Sequence, residues 1–125
     1  MKTFEILASD LQIISADDTA FAAVFTPKED FPPFAGHFPD MAIMPGVAQI
    51  SVVTAAVRKI FGDEIFLKEI VRCKFTNPSV PGVQLEISGV IQSAEDQTKL
   101  LQIQITGDGK RISNLKLLYA MQERS

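Results

Sequence analysis

Hydrophobic and polar residues alternate along most of this chain. Val83, Leu85, Ile87 and Ile91 point one way, with Gln84, Glu86 and Ser88 between them. Leu101, Ile103 and Ile105 repeat the pattern, and Leu115, Leu117 and Tyr119 repeat it again. Period two predicts strands with one buried face. Gly107-Asp108-Gly109 separates the last two runs and is a strong hairpin signal. Phe66 to Thr76 reads as a further strand, ended by Asn77-Pro78. Towards the start, Phe21, Ala23 and Phe25 alternate with their neighbours and predict a strand near 19–26, after a turn at Asp17-Asp18. A preceding strand includes Leu11 to Ile14.

One stretch breaks the alternation. VAQISVVTAAVRKIF, residues 47–61, follows Pro45-Gly46 and stops at Gly62. Proline at a helix start and glycine just past its end is the expected asymmetry. The first three turns carry almost no charge, so the helix is apolar nearly all round and must be buried. Ile50, Val52, Val53 and Thr54 are β-branched and lower its intrinsic propensity, which leaves tertiary burial to hold it. Between the second strand and the helix lies PKEDFPPFAGHFPDMAIMPG, with five prolines and two glycines, which predicts an irregular loop. The order is two strands, one buried helix and four strands. One curved antiparallel sheet wrapped round one helix gives an α+β architecture, within a single domain over 1–125.

Composition narrows the function classes. The chain has 125 residues, 46% of them hydrophobic, so it can build a substantial core. Twelve Lys and Arg against fifteen Asp and Glu give a net charge of −3, with no basic run, which argues against nucleic-acid binding. Cys73 is the sole cysteine, so no internal disulfide, zinc set or redox pair can be written. It alternates with apolar neighbours and is expected to be a small core residue. No run of 18 apolar residues and no leader pattern are seen, so a soluble, cytoplasmic protein without membrane contact is expected.

His37 is the sole histidine and sits in the Pro-rich loop that leads into the helix at Gly46. An imidazole titrates near neutral pH and serves as base or acid. A helix N-terminus presents unpaired N–H groups and partial positive charge, which would polarise a carbonyl placed there. Glycine there permits close approach. From the residues alone, His37 also fits a surface or capping role, and Pro45-Gly46 a plain helix start.

The run GHFPDMAIMPGVAQ resembles the active-site motif of the β-hydroxyacyl-acyl-carrier-protein dehydratases: His-Phe-Pro, a short variable stretch, Pro-Gly, then a helix. KFTNPSVPGVQLEI resembles their second signature, and the similarity in order and spacing runs from about Phe31 to Tyr119. Pro-Gly-Val-Ala-Gln resembles more specifically the dehydratase-like proteins of aryl polyene pathways. The resemblance implies a hotdog fold and a 3-hydroxyacyl thioester substrate, carried by acyl carrier protein or coenzyme A. It implies His37 as the base for the α-proton and the Gly46 N–H as donor to the thioester carbonyl. Phe38, Pro45 and Val47 would touch the substrate, and Phe31 and Phe34 with Phe38 would line an acyl tunnel. No cofactor or metal is implied, and sites shared between subunits imply a homodimer or an assembly of dimers.

One position departs from the pattern. Relatives of this type carry an acid on the helix fourteen positions after the histidine, and here Ser51 stands there. Ser51 would then hold a water, or His37 would return its proton to the leaving hydroxyl. Asp40 and Gln49 are the nearest polar substitutes, Asp40 also fitting a solvated turn. Thr54, one turn beyond Ser51, is expected either to share that face or to bond its own backbone. Three activities stay open: dehydration, thioester hydrolysis, and acyl binding by a pseudo-dehydratase without turnover.

Overall fold

The computed structural model describes residues 11–27, 46–80, 82–93 and 97–122, the side chain of Val47 excepted. Within them lie β1 (Leu11–Ala16), β2 (Ala20–Phe25), α1 (Gly46–Phe61), β3 (Ile65–Phe75), β4 (Leu85–Ser93), β5 (Thr98–Gly107) and β6 (Lys110–Met121). All six strands join one antiparallel sheet in the order β1-β2-β4-β5-β6-β3. This is the α+β arrangement that the alternating runs and the single apolar stretch predict, and it is the hotdog fold that the resemblance implies.

Register explains which side chains meet the helix. Phe21, Gly89, Ile103 and Leu115 stand opposite one another across four strands, as do Ala23, Ile87, Ile105 and Ser113. These inward rows are buried, together with Val52, Val53, Ala56 and Val57 of α1. Small helical side chains let α1 lie close to the sheet. Gly89 has a packing reason as well: a Cβ there would collide with the Phe21 ring that crosses over it.

The turns follow from their residues. Asp108 and Gly109 both have positive φ, 53° and 73°, the signature of a two-residue type I′ hairpin between β5 and β6. Gly62, with φ 103°, closes α1 in the left-handed conformation. At the β1–β2 turn, the Asp17 carboxylate accepts from the N–H of Thr19 (2.7 Å), the Thr19 hydroxyl (2.8 Å) and the N–H of Ala20 (2.9 Å). Those donors hold its carboxyl below the usual carboxylate range. Lys59 ties the last helical turn to the far edge of the sheet by donating to the Leu11 carbonyl at 2.9 Å.

Cys73 departs from expectation. It is exposed, not a core residue. Its register partner is the buried Leu115, so its face was read correctly. What differs is coverage: β3 is the edge strand, and its inward side chains run past what α1 shields. Ile70, Val71 and Phe75 on the same strand are 43–48% exposed. No helix among the described residues is long and apolar enough to cross a membrane.

Candidate functional site

The site is built where the first turn of α1 meets β6 and β3. Gln49 is buried, and its side-chain carbonyl accepts a hydrogen bond from the Ser113 hydroxyl at 2.8 Å. Ser113 stands opposite Phe75 on β3. The Phe75 ring in turn packs onto Gly46: a Cβ there would lie 2.6 Å from Phe75 Cζ. One hydrogen bond and one ring contact thus seat the helix start on two neighbouring strands. Glycine at 46 was expected to admit a ligand; the structure adds that it admits the Phe75 ring.

Residues after Phe75 hold that ring in place. The N–H groups of Thr76 and Asn77 donate to the Ile112 carbonyl, at 2.8 and 3.3 Å. The Asn77 side-chain amide donates to the Arg111 carbonyl at 2.7 Å. Asn77 therefore ends β3 and pins the KFTNP segment to the start of β6. The two sequence signatures, PGVAQ and KFTNP, come together through Gly46 and Phe75.

Among the described residues the start of α1 carries no charged side chain. No acidic residue lies in the first turn, so the amides there keep their partial positive charge for an incoming oxygen. Gly46 is only half-buried, which leaves the terminus within reach of a ligand. Ser51, also half-buried, sits roughly 7–8 Å further along the axis. Val47 lies in the first turn. His37, Phe38 and Pro45, with Phe31, Phe34 and Asp40, lie outside the described residues.

Deeper in the helix, Thr54 does not turn to its own backbone. Its hydroxyl bonds the Tyr119 hydroxyl at 2.8 Å, both residues being buried. Burial pushes the Tyr119 phenol up to about 12, with the Thr54 bond and the nearby Arg58 charge acting the other way. Thr54 lies roughly 12 Å along the axis from Gly46, so the pair fixes how α1 sits on β6 and not the chemistry at its start. Sequence reasoning missed this pair and the Phe75 contact. A lone tyrosine on the inward face of a strand was the available signal, since a buried phenol requires a partner. Ser79, in the second signature, is also buried, and its hydroxyl finds no hydrogen-bond partner among the described residues.

With that geometry in hand, residues 13–116 match the ApeI-like family, described as ApeI dehydratase. The chain belongs to the ApeI-like dehydratase family. A 3-hydroxyacyl-[acyl-carrier-protein] dehydratase FabZ from Rickettsia akari is 28% identical, over 75% of this chain and 70% of that protein. Among solved structures, the dehydratase heterocomplex ApeI:P from Xenorhabdus doucetiae superposes with a TM-score of 0.72 at 22% identity, covering 87% of this chain and 96% of that one. A hypothetical thioesterase with coenzyme A from Streptococcus pneumoniae gives 0.72 at 13% identity, over 100% and 99% of the two chains. At such identities the two structures share the fold with this ApeI-like chain. Family membership rests on the sequence match, which spans both signatures.

Proposed function

We propose that this ApeI-like protein dehydrates a 3-hydroxyacyl thioester borne by acyl carrier protein. The observation that supports it most directly is the joining of the two dehydratase signatures at one helix start, through the Phe75 ring on Gly46. In this reading the thioester carbonyl accepts the Gly46 N–H at the positive end of α1, which makes the α-proton more acidic. His37 removes that proton as general base. Electrons from the C–H bond form the enolate and then the C=C bond as the 3-hydroxyl departs. Protonated by the imidazolium of His37 or through a water at Ser51, the hydroxyl leaves as water. Phe38, Pro45 and Val47 contact the acyl chain.

The reading includes a homodimer. β3 is an edge strand whose long, partly apolar surface includes Ile70 and Val71. An uncovered strand of that kind is a ready template for pairing with another chain. Pairing β3 with its copy supplies the cover that Cys73 and Ile70 lack in the single chain.

The test supplies a 3-hydroxyacyl thioester and follows enoyl formation by absorbance. Turnover that falls by about 10²–10⁴-fold in His37→Ala supports the base role; turnover unchanged in that variant overturns it. Ser51→Glu, which restores an acid, is expected to raise the rate. Thiol release without enoyl formation would reassign the protein to thioester hydrolysis. Acyl binding with neither product would make it a binding subunit.

A further inference from the structure

Where the first turn of α1 meets the sheet, one polar pair is buried among apolar side chains. Ser113 continues an inward row whose other members are Ala23, Ile87 and Ile105. Gln49 faces it from the helix, and the two residues are 0% and 3% exposed. The Ser113 hydroxyl donates to the Gln49 side-chain carbonyl at 2.8 Å. That bond uses only the acceptor end of the Gln49 amide. Among the described residues its donor end, the amide nitrogen, has no hydrogen-bond partner.

A buried amide that accepts without donating is unfavourable, because its N–H groups have lost water and gained no partner. An apolar pair of the same shape would avoid that cost. The arrangement therefore points to an acceptor that arrives with a ligand. Position narrows which part of the ligand it is. Gln49 lies about 60° round the helix axis from Gly46, whereas Ser51 lies about 140° away. Helical side chains also tilt towards the N-terminus, so Gln49 leans back along the axis towards Gly46. The ring on Gly46 and the hydroxyl on Gln49 come from Phe75 and Ser113, which are register partners on β3 and β6. Both contacts thus belong to one corner of the molecule. With its carbonyl tied to β6, the Gln49 amide turns its donor end away from that strand.

We propose that the Gln49 amide donates to the 3-hydroxyl of the substrate, with Ser113 as the residue that positions it. This rests on the reading of the substrate as a 3-hydroxyacyl thioester whose carbonyl accepts the Gly46 N–H. The 3-hydroxyl is two carbons along from that carbonyl, so a donor one helical turn from Gly46 on a similar side suits it. Gln49 gives up no proton. When the C–O bond breaks, the proton still comes from the His37 imidazolium or through water at Ser51. The amide holds the oxygen in place and stabilises the negative charge that builds on it. Such a contact selects 3-hydroxyacyl over saturated acyl groups, because a ligand without the hydroxyl leaves the buried amide unpaired.

The experiment uses the full chain and two N-acetylcysteamine thioesters of equal chain length, one 3-hydroxyacyl and one saturated. Affinity for both is read by calorimetry in a His37→Ala background, where the hydroxy ligand is not consumed. Dehydration is read with His37 in place. The 3-hydroxyacyl thioester should bind about tenfold more tightly than the saturated one. Gln49→Met should erase that preference, leave the saturated ligand little affected and slow dehydration by at least the same factor. Ser113→Ala should lose part of the preference, and Ser113→Thr, which keeps a hydroxyl, should restore it. Gln49→Met combined with Ser113→Ala removes both polar partners together, so it keeps the test open if the single variant folds poorly. It should show the same loss of preference. No preference before substitution, a preference that survives in the Gln49 variants, or equal weakening of both ligands would overturn the proposal. The last result would make the pair a structural contact only. If the protein with His37 forms no enoyl product while the preference and its loss are seen, the dehydration reading fails and the Gln49 contact stands.

Discussion

β6 and β3 are neighbours of nearly equal length, twelve and eleven residues, yet they live in different environments. On β6, Leu115, Leu117 and Tyr119 are at most 2% exposed. Directly across the ladder, Cys73, Ile70 and Leu67 occupy the matching inward positions on β3. Cys73 is exposed, and Ile70 is 48% exposed. Both strands have an inward apolar face and both meet α1, β6 through Gln49 and Thr54 and β3 through Phe75, but on β3 the helix leaves Ile70 and Cys73 uncovered. Alternation therefore reports which way a side chain points. Whether anything covers it is a property of position in the sheet.

The largest expected effect exploits that contrast at one rung of the ladder. Leu117→Ala opens a cavity between β6 and α1 and should lower stability by about 2–5 kcal/mol in denaturant unfolding. Ile70→Ala, at its register partner, should cost under about 1 kcal/mol where the chain is monomeric. Its effect should appear in sedimentation, as weaker self-association. Equal losses at both positions would mean that β3 is covered within the single chain.

Most of the fold was legible because period two, period 3.6 and turn chemistry agree. Asp108-Gly109 specified its hairpin, Gly62 its helix end, and the uncharged first turns of α1 their burial. Cys73 was misplaced because a sequence pattern carries no information on sheet order, and sheet order makes β3 an edge. The candidate site was legible only in part. Gly46 was picked out as a helix start, whereas Phe75 lies 29 positions later and joins it only through the β3–β6 register. The Thr54–Tyr119 bond was hidden for the same reason, since 65 residues separate its partners.

That bond gives the next test of β6 as the covered strand. Tyr119 has a folded-state phenol raised from 10.0 to about 12, so folding favours its protonated form. Its contribution is fully present below the unfolded value of 10.0 and is lost as pH rises through about 12. Stability should therefore fall across that window by roughly 2–3 kcal/mol more in the wild type than in Tyr119→Phe. The difference between the two proteins is the quantity to measure, because it isolates the phenol. Identical pH slopes would show that the phenol is solvated. At neutral pH the phenylalanine variant leaves the Thr54 hydroxyl unpaired, and Thr54→Val in the same chain should recover part of that loss.

The smallest effect is sought where the uncovered strand does meet the helix. Phe75 is 45% exposed, yet its ring closes on Gly46. Alanine is a better helix former than glycine by about 1 kcal/mol, so Gly46→Ala should stabilise a helix start that nothing touches. Here the added methyl meets the tip of the ring. A half-exposed ring can swing aside, so the net cost should be only about 1 kcal/mol. Gly46→Ala combined with Phe75→Leu should then be more stable than Gly46→Ala alone, a non-additivity readable in a double-mutant cycle. A stabilising Gly46→Ala in the wild-type background would break the contact between the two signatures, and with it the observation on which the proposed site stands. Dehydration measured on the same four proteins separates the two uses of Gly46. Rescue of stability without rescue of rate would show that the space beside the Gly46 N–H is needed by the substrate as well as by the ring.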